Sequence, residues 1–151
     1  MTQLQSLQGK GNFLRQFIAN YTEITKGFMR LLKKDMPFMW DNQAQRSFDA
    51  LKTALVNAPV LSPPNYGRDF IMYLAASASS IGIVLVQEDD SHYEKVIYYL
   101  SKGLIGPELR YAYVEKLALA AVHAVQCLRH YILPRKTLVL ADINPIQYIL
   151  T

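Results

Sequence analysis

Side chains that could bind a metal ion or transfer a proton are few in this sequence, and only one group of them stands together. Glu88, Asp89 and Asp90 are consecutive, and His92 follows. Hydrolysis with two divalent ions needs carboxylates around ions about 4 Å apart, and Mg²⁺ requires nearly octahedral oxygen ligands. The apolar run before Glu88 is typical of a β-strand, so we interpret residues 88–92 as a solvated hairpin tip and not as a metal site.

Histidine and cysteine give no stronger indication of a metal site. His123 and His130 are seven residues apart in a helical pattern, which is a poor spacing for two ligands of one zinc ion. We therefore expect them to be surface or hydrogen-bonded histidines. Cys127 is the only cysteine, which excludes a disulfide framework and a cysteine-based zinc site, and its apolar helical neighbours predict a buried thiol.

Positive charge is concentrated at the front of the chain. Residues 1–34 hold six basic residues and one acid, Glu23, for a net charge of +5, whereas the other ten basic and eleven acidic residues sum to −1. Basic side chains along helices can neutralise phosphates and bind nucleic acid without sequence preference. A solvated helix face is the alternative interpretation. The six residues are Lys10, Arg15, Lys26, Arg30, Lys33 and Lys34.

The elements that must position these residues begin with a run of helices. Apolar spacing predicts a short helix, a loosened turn at Gly9 and Gly11, and a continuation of the helix beyond them. Thr22 is expected to cap a second helix, and Asp41 or Asn42 a third. A proline-rich stretch, 59–67, then separates this helical part from the remainder. We therefore predict two units, residues 1–58 and residues 59–151.

The remainder has the pattern of a mixed α/β unit. Alternating apolar runs predict three antiparallel strands, near residues 70–75, 81–86 and 96–100. Pro107 is expected to open a long helix that Pro134 ends. Lys136–Ala141 is predicted to be a fourth strand, followed by a last helix from Asn144. No segment approaches the roughly 18 apolar residues of a membrane span, and the N-terminus lacks a signal-peptide pattern, so we expect an intracellular protein, cytoplasmic or nuclear, without membrane contact.

Seven short motifs follow one another in a definite order. They are Leu7–Lys10 with Asn12–Ile18, Phe38-x-Trp40, Gln45–Leu55, Ala58–Leu61, Tyr98–Lys102, Glu115-Lys116 and Leu128–Leu133. Together they resemble the segment of a gypsy-type LTR retrotransposon polyprotein that joins the reverse transcriptase thumb to its RNase H. The resemblance implies an RNase H-like mixed sheet, with three antiparallel strands and a parallel fourth, truncated before a fifth and preceded by a helical thumb-like segment.

This sequence departs from the family at the catalytic positions. Active relatives carry an aspartate in a T-D-A-S-like strand, and this chain has Ala75 at that position. They carry the catalytic glutamate as the second acid of an E-K-E-L pattern, and this chain has Leu117 there. Asp142 matches the third acid. Glu115 cannot replace the second, because it lies about 200° around the helix from Leu117. The resemblance thus implies a degenerate domain with no catalytic residues, bound metal or cofactor, in which we expect Asp142 to cap the last helix.

Three hypotheses of function follow. The first is an inactive connection or tether module that contacts polymerase subdomains or the backbone of an RNA–DNA or DNA duplex through the six basic residues. The second is a domesticated interaction domain that binds a host protein, and the third is an RNase H with a rearranged site. We also predict a homodimer through the Lys136–Ala141 edge, unless the helical segment folds back and covers that edge.

Overall fold

The computed structural model describes the backbone of residues 2–149 and the side chains up to Gln147. The helices are α1 (Thr2–Leu14), α2 (Tyr21–Met29), α3 (Asn42–Val56), α4 (Tyr113–Ile132) and α5 (Ile146–Ile149), with 3₁₀ turns at Arg15–Phe17, Arg30–Leu32 and Gly106–Arg110. The strands are β1 (Phe70–Ala76), β2 (Ser80–Glu88), β3 (Glu94–Gly103) and β4 (Thr137–Leu140). None of the described helices is both long and apolar enough to cross a membrane.

The four strands form one mixed sheet in the order β3-β2-β1-β4. β1 and β3 are each antiparallel to β2, whereas β4 is parallel to β1, with Phe70 opposite Thr137 and Tyr73 opposite Leu140. A parallel neighbour requires a crossover connection, which α4 supplies. The predicted fold class, three antiparallel strands and a parallel fourth, is confirmed.

The main core lies between the sheet and α4. Phe70, Met72 and Leu74 alternate along β1 and are buried on the face that α4 covers. Helix α4 presents Leu117, Ala120, Ala124 and Leu128 to them, all at most 1% exposed. The two alanines allow the helix to approach the sheet closely, because side chains in a core fill space at crystal-like density.

A second core holds together the helical front, by which we mean α1, α2, α3 and their connections. Its buried side chains are Leu4, Ile18, Tyr21, Phe28, Leu31, Ala44 and Leu51. The rings of Phe28, Trp40 and Phe48 pack on one another at centroid distances of 6.1–6.3 Å. The helical front contacts the sheet at β3 and leaves β4 at the opposite edge uncovered by it. The division of the chain at residues 58 and 59 remains a prediction.

Two predictions about the first helices are wrong. Helix α1 runs through Gly9 and Gly11 without a loosened turn, and Gly11 is needed there because a Cβ would overlap the Tyr21 hydroxyl. Helix α2 begins at Tyr21, after Asn20 in the left-handed conformation (φ 54°), so Thr22 lies inside the helix and does not cap it. The third cap is confirmed, since the Asp41 carboxylate accepts a hydrogen bond from the Ala44 amide at 2.9 Å.

Two further predictions about the second half of the chain are wrong. Pro107 opens a separate 3₁₀ turn, and α4 begins only at Tyr113, where the Glu115 carboxylate accepts the Ala112 amide at 2.7 Å. Cys127 is exposed and not buried. It precedes Leu128, which faces the sheet, and one residue turns the helix by about 100°, so the thiol points away from the core.

Candidate functional site

Ala75 occupies the first expected acid position and lies near the end of β1. It pairs with Gly82 of β2, and its side chain is exposed on the face of the sheet away from α4, as is that of Tyr73. The helical front approaches this end of the sheet, because a Cβ at Gly82 would lie 3.1 Å from the Asn20 side-chain oxygen. A methyl group at position 75 offers no ligand to a cation.

Leu117 occupies the second expected acid position and is completely buried in the main core. Its neighbour Lys116 is also buried, and its ammonium group donates to the carbonyl oxygens of Ala78 at 3.1 Å and Ser77 at 3.4 Å. These bonds tie the first turns of α4 to the turn between β1 and β2. Glu115 is exposed and serves the helix cap, so this part of α4 packs and anchors without presenting a carboxylate to the core.

Asp142, the third expected acid, is exposed just beyond β4. Its carboxylate accepts a hydrogen bond from the Tyr113 hydroxyl at 3.0 Å, and this bond raises the pKa of Tyr113. The prediction that Asp142 caps α5 is wrong. Asn144 is nearer to the helix in sequence, and its side-chain oxygen accepts the Ile146 amide at 3.0 Å.

The acidic residues at the β2–β3 turn have backbone amides and neighbouring basic side chains as partners. The Asp89 carboxylate accepts the amides of Ser91 at 2.9 Å and Tyr93 at 3.0 Å, and the Tyr93 bond contributes most to lowering the pKa of Asp89. Asp90 pairs with Arg68. Among the described residues, no group of three histidine, cysteine, aspartate or glutamate side chains could hold a metal ion.

Four of the six predicted basic residues line one cleft of about 490 Å³ between α2 and the end of β3. They are Arg15, Lys26, Arg30 and Lys33, and Lys102 from β3 joins them; we call these five residues and the space between them the basic cleft. Lys10 lies in a different groove, and Lys34 is exposed elsewhere. Sequence reasoning missed Lys102, since nothing local to β3 indicates that it meets the helical front.

Most cations of the basic cleft have partners. Arg30 pairs with Asp41, Lys102 with Glu108 at 2.7 Å, and the Lys26 ammonium donates to the Ser79 hydroxyl at 2.8 Å.

Arg15 donates to the Ser101 carbonyl, while its Nε is buried without a hydrogen-bond partner in the described part of the chain. Lys33 is exposed, and no ion pair within residues 2–149 involves it. Burial, together with the charges of Lys102 and Arg15, lowers the pKa of nearby His123. Arg15, Lys26 and Lys33 are therefore the cations of the cleft that form no direct ion pair in the described part of the chain.

Residues 40–139 match the model of a protein family described as the RNase H-like domain found in reverse transcriptase. The chain belongs to this family. The match begins at Trp40, just before α3, and ends within β4, so it includes β1, β2, β3 and most of β4.

Curated relatives that this chain is similar to are retroelement polyproteins. The chain is 32% identical over 139 residues to the retrovirus-related Pol polyprotein from transposon 412 of Drosophila melanogaster, covering 91% of this chain and 11% of that protein. It is 31% identical to the transposon Tf2-3 polyprotein of Schizosaccharomyces pombe, covering 86% and 10%. The RNase H-like domain therefore spans about a tenth of these relatives, and the resemblance to gypsy-type polyproteins is confirmed.

Solved structures agree on the fold. The foamy viral protease-reverse transcriptase in complex with RNA/DNA hybrid matches with a TM-score of 0.82 and 25% identity, covering 98% of this chain and 20% of that one. The dRH form in complex with double-stranded DNA matches with a TM-score of 0.84 and 24% identity, covering 99% and 26%. The similarity extends over the helical front and the sheet together.

The residues of this domain do not fit the magnesium ions that an RNase H mechanism implies. Position 75 has no ligand atom, position 117 is a leucine inside the core, and the Asp142 carboxylate is hydrogen-bonded to a phenol. A single exposed carboxylate cannot provide most of an octahedral oxygen shell. No hydrolytic step is therefore derived from these residues.

Proposed function

We propose that this RNase H-like domain is a catalytically inactive connection module that holds the backbone of an RNA–DNA or DNA duplex. The observation that carries the proposal is the complete burial of Leu117 where an active relative needs its second acid. Two-metal hydrolysis requires carboxylates that face a common space. A leucine that packs against β1 leaves the remaining acid, Asp142, without a partner for that chemistry.

The basic cleft supports the binding part of the proposal. It gathers five cations from two distant parts of the chain into one concave surface, and phosphate groups are the natural ligands of such a surface. The foamy viral relatives were solved with double-stranded DNA and with RNA/DNA hybrid. For this chain we propose contacts to the backbone only, without base recognition, because the cleft is lined mainly by cations and small polar groups.

Within the basic cleft, the proposed contacts are Arg15, Lys26, Arg30, Lys33 and Lys102. Lys10 and Lys34, which lie outside it, are proposed to add long-range attraction only. Affinity for a duplex should then fall by about 0.9 log units per phosphate contact for each tenfold rise in salt.

Fluorescence anisotropy with a labelled RNA–DNA duplex tests the binding proposal. Lys33→Ala should lower the affinity several-fold and reduce the salt slope by about one contact. Lys136→Ala is the matched control, because it removes the same charge from an exposed site near β4, away from the cleft. Equal losses in both variants, or none in Lys33→Ala, would contradict the proposed cleft.

Calorimetric titration with Mg²⁺ tests the inactive site separately. We expect no saturable heat with the wild-type domain, and the same trace with Asp142→Asn. A saturable signal that disappears in Asp142→Asn would show that the surviving acid still binds the ion.

An apolar groove favours a second candidate function, a domesticated domain that binds a host protein. Leu4, Leu7 and Lys10 of α1 face Phe38, Trp40 and Phe48 across a space of about 530 Å³. Phe38 and Trp40 are both more than 40% exposed, and exposed aromatic groups frequently anchor protein interfaces. A partner captured from a cell extract by wild type should be lost with Phe38→Ala and kept with Met39→Ala, whose side chain lies outside the groove.

A further inference from the structure

The helical front meets the sheet through hydrogen bonds from one turn of α2 to serine residues of the sheet. We call this contact the serine junction: Thr22, Glu23 and Lys26 on α2, and Ser77, Ser79 and Ser101 on the sheet. The Glu23 carboxylate accepts from the hydroxyls of Ser77 at 2.8 Å and Ser79 at 2.7 Å. The apolar clusters of the two parts are separate, so these polar bonds contribute directly to how the parts are held together.

The other hydrogen bonds of Ser77 and Ser79 show that each serine is the donor in its bond to Glu23. The Ser77 hydroxyl accepts the amides of Ser79 at 3.2 Å and Ser80 at 3.0 Å, so its own hydrogen is available for Glu23. The Ser79 hydroxyl accepts from the Lys26 ammonium at 2.8 Å, so its hydrogen is available as well.

Two hydroxyl donors on one carboxylate oxygen favour its ionised form. The bond from Ser79 contributes most to lowering the pKa of Glu23, with smaller contributions from Ser77, Ser80 and Lys26 against the effect of burial.

Ser101 provides the second anchor of the serine junction and is only 4% exposed. Its carbonyl accepts the Arg15 guanidinium, and its hydroxyl lies 3.0 Å from the Thr22 hydroxyl. The helical front and the sheet approach closely here, since a Cβ at Gly103 would lie 3.3 Å from the Thr22 methyl group. Two cations of the basic cleft, Arg15 and Lys26, are thus oriented by oxygens of the sheet.

We propose that Glu23 is a positioning residue for the basic cleft. Its ionised carboxylate holds α2 on the β1–β2 turn, and thereby brings the cations of the helical front and Lys102 of the sheet to face one phosphate backbone. Glu23 itself does not line the cleft. This inference rests on the duplex binding proposed above and adds the residue that sets the geometry of the cleft.

The direction in which one substitution changes the affinity for a duplex distinguishes a positioning role of Glu23 from a purely electrostatic effect. Glu23 lies beside Lys26. If only its negative charge mattered, Glu23 would weaken the attraction between Lys26 and a phosphate. Glu23→Gln should then bind a duplex more tightly. If Glu23 positions the cleft, the same substitution should weaken binding, because neutral hydrogen bonds replace charge-assisted ones.

The experiment compares Glu23→Gln with Glu94→Gln, which removes the same charge at the far end of β3, beyond the serine junction. Anisotropy with the RNA–DNA duplex at low salt should show about five-fold weaker binding for Glu23→Gln, in line with the difference between a charge-assisted and a neutral hydrogen bond. Glu94→Gln should bind as wild type or slightly more tightly. Equal or tighter binding by Glu23→Gln overturns the proposal.

Amide hydrogen exchange tests the positioning role of Glu23 independently of duplex binding. In Glu23→Gln the amides of Thr22, Ser79 and Ser80 should exchange several-fold faster, while those of α3 and of the β1–β2 ladder keep their protection. A uniform change, or no change at Ser79 and Ser80, contradicts a positioning role. If wild type fails to bind the duplex, the proposed function fails, and the exchange pattern alone still decides whether Glu23 holds the serine junction.

Discussion

Position 75 of β1 and position 117 of α4 carry a methyl and an isobutyl group, whereas the basic cleft holds five cations from two separate parts of the chain. At the first place the fold has retained its packing without its chemistry. At the second, charge is retained, and most of it is held in place by acids or by serine and carbonyl oxygens. Both places lie toward the same end of the sheet, where β1 and β3 end.

The two places differ in what their side chains contribute to the folded protein. A buried carboxylate is costly unless it is paired or binds a metal, whereas a buried leucine stabilises the core. Leu117 illustrates this gain. Cations on a surface cost little to keep, and they stay useful wherever a polyanion must be held.

The largest expected effect is at the two lost acid positions. Leu117→Glu should lower the free energy of unfolding by about 3–5 kcal/mol, because it removes a buried apolar side chain and places a carboxyl group in the core. Ala75→Asp, on an exposed strand position, should change it by less than about 1 kcal/mol. Urea unfolding measures both. Similar values for the two variants would mean that position 117 is not a core position.

The next effect concerns the free edge beside Asp142. Leu138 is 50% exposed on β4, and no other described strand pairs with the outer side of β4. An open apolar edge pairs readily with a second copy, so light scattering at micromolar concentration should give a dimer mass that Leu138→Lys halves. A wild-type monomer would mean that the edge does not mediate dimerisation.

A smaller effect on duplex binding is expected at Lys102, the cation that local sequence patterns did not reveal. Lys102 and Lys95 lie on the same strand, and each is paired with an acid, Glu108 and Asp89 respectively. Only Lys102 lines the basic cleft. Lys102→Ala should weaken duplex binding about three- to five-fold at low salt, in line with one phosphate contact. A loss of the same size in Lys95→Ala would indicate general charge and not a cleft.

The smallest effect is the pH dependence at Glu23. The pKa of this carboxyl in the folded protein lies below its ordinary value of 4.5. Its contribution to stability is therefore complete above that value and is lost as the pH falls through the lowered pKa. The charged group beside it is Lys26 on α2.

The difference in unfolding free energy between wild type and Glu23→Gln should thus be constant near neutral pH. It should shrink as the pH falls below 4.5 and through the lowered pKa, where Glu23 becomes neutral like the glutamine of the variant. Urea unfolding at a series of pH values measures this difference. A difference that grows on acidification would contradict the assigned hydrogen-bond directions.

The strands and the cap at Asp41 could be predicted from sequence, because apolar periodicity and capping chemistry are local, whereas the parallel pairing of β4 was implied by the family resemblance. The continuity of α1 could not, since its packing against Tyr21 overrides the low helix propensity of two glycines. The bonds from Glu23 to Ser77 and from Tyr113 to Asp142 join residues 54 and 29 positions apart. Long-range polar contacts of this kind leave no local pattern, and for that reason the serine junction and the place of Lys102 were missed.

Cleavage of an RNA–DNA hybrid tests the central claim most directly. The full chain, at a concentration that saturates the labelled hybrid, is incubated with Mg²⁺ and in parallel with Mn²⁺. The loss of two of the three expected acids predicts bound hybrid and no cleavage above a buffer control. Metal-dependent cleavage by the wild-type protein that Asp142→Asn abolishes would contradict it.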